Sequence, residues 1–221
     1  AALGAAAGAR EPPAAPRWRA LFRGPAVALH AIALSFGATS AIYISFAADR
    51  VAQASGLAGL PAEASSAIVF VGYGTFGLLG LATGRAKAVA GLPGLLRGLL
   101  AASALSLALV AAVPASWPGV VLSAGLQGVY VMMTSAVLAF WSERLFPTLP
   151  SFSFTAALLA VGVGNVAGPV AAGLISDAVG SGTMFFGAAA ISAATAIAVR
   201  PRHVQERPAG AWPGAGAHTN N

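Results

Sequence analysis

Charge is what this sequence has least of. Only 8% of its 221 residues are charged, against 57% hydrophobic, where a soluble domain carries about 25% charged residues. So few charges cannot cover a water-facing surface. Cysteine is absent altogether, which excludes disulfides and thiolate metal sites. Acidic side chains number six against twelve basic ones. An excess of that sign can signal nucleic acid, but here the basic residues flank apolar segments, as topology determinants do in membrane proteins. No nucleic-acid partner and no cofactor are expected; the lipid bilayer is.

Transmembrane strands would show alternating polarity over about ten residues, and that pattern is missing too. The apolar runs are continuous instead. Six of them reach spanning length: Pro25–Ala48, Ser66–Gly84, Leu95–Val113, Trp117–Phe140, Phe152–Ser176 and Gly182–Val199. A helix rising 1.5 Å per residue crosses a hydrocarbon core of about 30 Å in some 20 residues. Helix is also the form that satisfies backbone groups within one segment where water is lacking. The expected fold class is all-α, an integral membrane six-helix bundle over residues 25–199. A basic, Pro-rich segment, 1–24, precedes it, and a disordered cytoplasmic tail, 200–221, follows it. The basic run of the first segment is too long for a secretory signal.

With six spans, both ends share a side. That side holds Arg10, Arg17, Arg19, Arg23, Arg85, Lys87, Arg97, Arg144, Arg200, Arg202 and Arg207, and the other only Arg50. The asymmetry makes both termini cytoplasmic; the Ala and Gly richness suggests a bacterial source, for which the plasma membrane is the expected location.

A faint internal repeat runs through the spans. Val71-Gly72-Tyr73-Gly74 recurs as Val161-Gly162-Val163-Gly164, and Ala88-Val89-Ala90-Gly91 is echoed by Asp177-Ala178-Val179-Gly180. The spans then divide into two groups of three. Three is odd, so the second group is inverted in the membrane, a device of transporters that rock about a central site.

Gly164-Asn165-Val166-Ala167-Gly168-Pro169, with Gly173 beyond, is the most specific segment. Gly164 and Gly168 permit close helix approach, and Pro169 removes a backbone hydrogen bond and can bend the fifth span. A bending, gating element and a tightly packed helix pair are both compatible with these residues. Together with the six-span unit and the segment Gly80-Leu81-Ala82-Thr83-Gly84-Arg85 after the second span, they resemble the major facilitator superfamily of secondary transporters over about Leu21–Arg202. Gly80 and Arg85 match that family's loop motif; Gly84 stands where its Asp is expected. Such erosion resembles the C-terminal six-helix half, with 1–24 similar to the central loop. The resemblance implies a missing N-terminal six-helix half and a small-molecule substrate.

The spans hold no Asp or Glu. His30 lies about a turn and a half inside the first span, and Arg97 near a cytoplasmic end, where it can snorkel. Neutral polar residues form stripes. Ser35, Thr39 and Tyr43 step by four along one face, and Gln127, Tyr130 and Thr134 share another. By resemblance these are the cavity-lining helices, so the expected substrate path is Ser35, Thr39, Tyr43, Gln127, Tyr130, Thr134 and Asn165. Interhelical hydrogen bonding is the competing reading of both stripes. The expected function is secondary transport by alternating access. A non-transporting subunit or receptor shares this composition. An intramembrane enzyme would need a nucleophile–base pair, which the spans do not present.

Overall fold

The computed structural model describes residues 25–145, 150–200 and 204. The expectations for 1–24 lie outside them, as do those for the tail beyond Arg200 except at Val204, which is buried in the core. The described residues are mostly helical, with no strand among them. Six α-helices follow one another: α1 Pro25–Gln53, α2 Ala62–Gly77, α3 Thr83–Ala112, α4 Trp117–Leu145, α5 Pro150–Val179 and α6 Ser181–Ala198. Five helical stretches are long and apolar enough to cross a bilayer, the makeup of a multi-pass membrane protein. One of the five is the 49-residue run Ala64–Ala112, which takes in both α2 and α3.

That run contains the main departure from the expected spans. The segment from Gly80 to Arg85, read from the sequence as a loop, is a 3₁₀ turn, Leu78–Ala82, followed directly by the first turn of α3. Its small residues let it pack on α4, where Gly80 faces Met132. The Thr83 hydroxyl donates to the Gly80 carbonyl and continues the helical path. The actual break comes at Gly91, whose φ of 66° and ψ of 167° interrupt α3. Only glycine occupies that region readily, and Pro93 then restarts the helix with its φ preset.

The chain reverses across this break. Along α2 and the 3₁₀ turn after it, Gly72, Gly77 and Gly80 face Ala124, Gly128 and Met132 in rising order, so α2 runs parallel to α4. In contrast, Ser106 of α3 bonds Ser123 of α4 while Ser103 reaches the Tyr130 hydroxyl, an antiparallel order. The same logic makes α1 parallel to α5, through Gly37–Val161 and Ala38–Gly168. It makes α1 antiparallel to α4 and α6, and α3 antiparallel to α6. Every direction fits strict alternation, so the start of α1 and the end of α6 lie at the same end of the bundle.

The most extensive packing pairs are α1 with α5, α2 with α4, α3 with α4 and α3 with α6. Glycine makes the two parallel pairs possible. A Cβ on Gly37 or Gly164 would run into the partner helix at the Val161 or Leu34 carbonyl, and one on Gly128 into the Tyr73 carbonyl. Backbones that close permit dense van der Waals contact, which drives association where lipid leaves little hydrophobic gain.

Two apolar clusters fill the interior. One gathers Leu29, Ile32, Phe36, Leu96, Leu100 and Trp141; the other Ile42, Val51, Leu107, Val110, Val120 and Phe185. A belt of buried polar side chains separates them at half height: Thr39, Ser103, Ser106, Ser123, Gln127 and Ser192.

Arginines close helix ends on both sides. Arg97 Nε donates to the Val199 carbonyl at 2.6 Å, just past α6, and Arg50 Nη2 to the Ala111 carbonyl at 3.2 Å, at the end of α3. Each sets a positive charge on a helix C-terminus, where unpaired carbonyls and the dipole favour it. Arg97 therefore has a carbonyl partner beyond the snorkelling expected of it. Arg50 also reaches Ser181 Oγ, tying α1 to α6.

A polar-lined groove at half height

The polar belt is a set of interhelical bonds. Thr39 and Tyr130 hydroxyls are 3.3 Å apart, and Tyr43 Oη is 3.3 Å from Ser123 Oγ. Ser106 and Ser123 each donate to the other's carbonyl at 2.8 Å. Ser103 bonds Ser192, and Ser35 bonds Thr195. The Phe36 ring meets Tyr130 edge-on, and Tyr43 stacks on Tyr73.

Six of the seven expected path residues lie in this belt or beside it. Thr39, Tyr43, Gln127, Tyr130 and Thr134 are buried at 2% exposure or less, and Ser35 is half-buried against α6. They look into the bundle's interior, on the seam of α1 with α4, α3 and α6. Asn165 alone stands on an open face. Helical periodicity groups residues onto one face of their own helix, but it cannot tell a face turned to a neighbour from one turned to a void.

An open feature among the described residues is a groove of about 400 Å³ between α4 and α5, floored by α1. Its floor is Phe36, Ser40, Ala41, Ile44 and Ser45. Val131 and Ser135 form one wall, and Val161, Asn165 and Pro169 the other. All ten positions lie near the middle of their helices, so the groove sits at half height. Its lining carries no charge. Sequence reading named Asn165 and Pro169 but missed Ser40, Ser45 and Ser135. Their only signal was to be polar residues lying off the two stripes.

Around Pro169 the helix α5 continues unbroken. Gly164 and Gly168 turn inward onto Leu34 and Ala38 of α1, while Asn165 turns outward into the groove. A Cβ on Gly173 would stand 4.0 Å from the Phe46 ring, and Arg85 is exposed. The glycines thus seat α5, and Asn165 and Pro169 line the groove it helps to form.

Several polar atoms of the interior have no hydrogen-bond partner: Ser40 Oγ, both amide atoms of Gln127, Thr134 Oγ1 and Trp141 Nε1. Gln127, Thr134 and Trp141 follow at intervals of seven down α4. An unpartnered buried group costs about 1–3 kcal/mol.

Comparison of the chain with protein-family models, with curated proteins and with solved structures finds no match.

Proposed function

We propose that this chain is a six-pass bundle of a secondary transporter, in which the groove forms one wall of a path for a small neutral molecule. The observation that carries the reading is an uncharged, polar-lined groove at half height on helices otherwise built for lipid. Transporters hold their substrates near the midplane, between repeats that move against each other.

Support for two inverted repeats comes from the packing. Exchanging α1 with α4, α2 with α5 and α3 with α6 maps the pair α1–α5 onto α4–α2 and returns α3–α6 to itself. It also preserves every parallel or antiparallel relation. Gly37 and Gly128, which make the two closest approaches, are as far apart in the chain as Gly77 and Gly168, which pack beside them. Gly91 and Gly180, the faint sequence repeat at the second-to-third connections, share a glycine-only conformation, with φ 66° and 89° and ψ 167° and 152°. This architecture is what the resemblance to the major facilitator superfamily implies, and a second six-helix unit facing the groove would complete the path.

Solute movement tests the function. Vesicles from cells producing the whole protein are assayed with a panel of neutral radiolabelled solutes, under inward and outward proton gradients. Saturable movement of at least one solute is expected, and Asn165→Leu with Ser135→Leu should lower it at least tenfold at unchanged protein level. The reading fails if no solute moves under either gradient, or if movement ignores the double substitution.

Orientation is tested separately. The basic excess at the end carrying Arg85, Arg97, Arg144 and Arg200 supports a cytoplasmic position for that end. Single cysteines at the exposed positions Ala115 and Ala178 should react with an impermeant thiol reagent from outside intact cells, and one at Glu143 only after lysis. The opposite labelling pattern would invert the topology.

A further inference from the structure

We infer that Ser40 and Gln127 form a hydrogen-bonding pair for the amide-type group of a neutral ligand, one presenting a donor and an acceptor side by side. The inference rests on the groove being a ligand path and names the ligand's chemistry.

Two observations carry it. The first is position. Thr39–Tyr130 and Tyr43–Ser123 are rungs across the α1–α4 seam. Ser40 lies between them on α1 and Gln127 between them on α4, so the two residues share one level. Ser40 lines the groove. Gln127 stands one turn from Val131 and two from Ser135, in the i, i+4 row that forms the groove's α4 wall. Gln127 itself is buried behind the lining.

The second observation is unspent bonding capacity. Gln127 is 0% exposed and Ser40 6% exposed, yet neither Gln127 amide atom nor Ser40 Oγ has a partner. A glutamine amide offers two donors and an acceptor, and a serine hydroxyl can serve as either. In an apolar bundle such groups are expensive unless a partner arrives. Pairing with a ligand requires the Gln127 side chain to turn to another staggered conformer when the ligand enters. A primary amide, urea or lactam then satisfies both the donor and the acceptor of the Gln127 amide at once. The lining offers no charge to neutralise an ion, and its apolar members suit a ring or short chain on the same ligand.

Three small probes of one shape test this on the 221-residue chain in lipid nanodiscs: benzamide, methyl benzoate and benzoate, with binding read by saturation-transfer NMR. Benzamide has both donor and acceptor, the ester only acceptors, and benzoate a charge. Wild type should bind benzamide about tenfold more tightly than the ester, and benzoate least. Gln127→Leu should bring benzamide down to the level of the ester, leaving the ester unchanged, and Ser40→Ala should lose part of the preference. Unchanged ester binding reports an intact groove, so misfolding cannot mimic the result. Equal binding of amide and ester by wild type overturns the inference, as does a preference that survives Gln127→Leu. Val131→Trp separates the two levels. If filling the groove removes all probe binding while Gln127→Leu spares the preference, the groove stands and the amide pairing falls. If benzamide binding survives Val131→Trp, the probe binds elsewhere and both fall.

Discussion

Alanine at Gly128 is expected to destabilise the bundle by about 1–3 kcal/mol, and leucine there to keep α2 from seating on α4. The added Cβ would stand well inside contact distance of the Tyr73 carbonyl and 3.0 Å from the Gly77 nitrogen. Both are backbone atoms, so no rotamer change relieves the clash; the helices must part. Gly37 and Gly164 are expected to behave alike, because the atoms they face on α5 and α1 are also backbone. Gly162 is the control. Nothing lies within 4 Å of its would-be Cβ, so alanine there should be neutral or slightly stabilising through helix propensity. Unfolding midpoints in mixed detergent micelles with rising SDS measure all four. If Gly128→Ala and Gly162→Ala shift the midpoint equally, the close-packing account fails.

At Gly91 and Gly180 the cost should have a different origin. Both glycines adopt backbone angles that L residues with a Cβ avoid, at about 1–3 kcal/mol each. Yet a Cβ at Gly180 meets nothing within 4 Å, and at Gly91 only Pro93 Cδ at 3.9 Å. Alanine and a longer unbranched side chain should therefore cost nearly the same at these two positions, while at Gly128 the cost grows with size. The same SDS titration, run on Gly91→Ala, Gly91→Gln, Gly180→Ala and Gly180→Gln, separates strain from crowding. A penalty that climbs steeply from Ala to Gln would point to hidden contacts at these turns.

Much of the fold was legible because lipid leaves the chain few options. Each long apolar run became a helix, and the sequence limits of α4 and α6 fall within a few residues of the observed ones. Several helices extend further than the apolar runs, α1 to Gln53 and α4 to Leu145, because polar residues at the interface can remain helical once outside hydrocarbon. Arg85 and Lys87 misled for the same reason: charge marks the membrane's edge and not the helix's end. The true break, Gly91, was visible only as one glycine among 27.

The groove was less legible. Tyr43, Thr39, Tyr130 and Gln127 attract attention because polar residues in hydrocarbon demand an explanation, and most of them find it in one another. The residues that do face open space include Ile44, Val131 and Val161, which look like any other membrane side chains. What distinguishes them is the place where α1, α4 and α5 fail to touch, a property of three helices together. Asn165 was found because its neighbours Gly164 and Gly168 fix which way α5 faces.

The parallel pairs also set an order for biosynthesis. A membrane chain enters its bilayer from the N-terminus, helix after helix. The principal partner of α1 is α5, and that of α2 is α4, so the most extensive contact of each early helix is made with a later helix and not with its immediate successor. Until residue 168 has been made, the glycine face of α1 has nothing to close upon, and Arg97 must wait longer still, for the carbonyl of Val199. The most extensive pair, α1 with α5, is therefore completed late in translation, with Arg97 as the final latch. A ribosome stalled before α5 is complete leaves the exposed glycine face of α1 to the insertion machinery, and chains stopped there should be the ones that quality-control proteases recover.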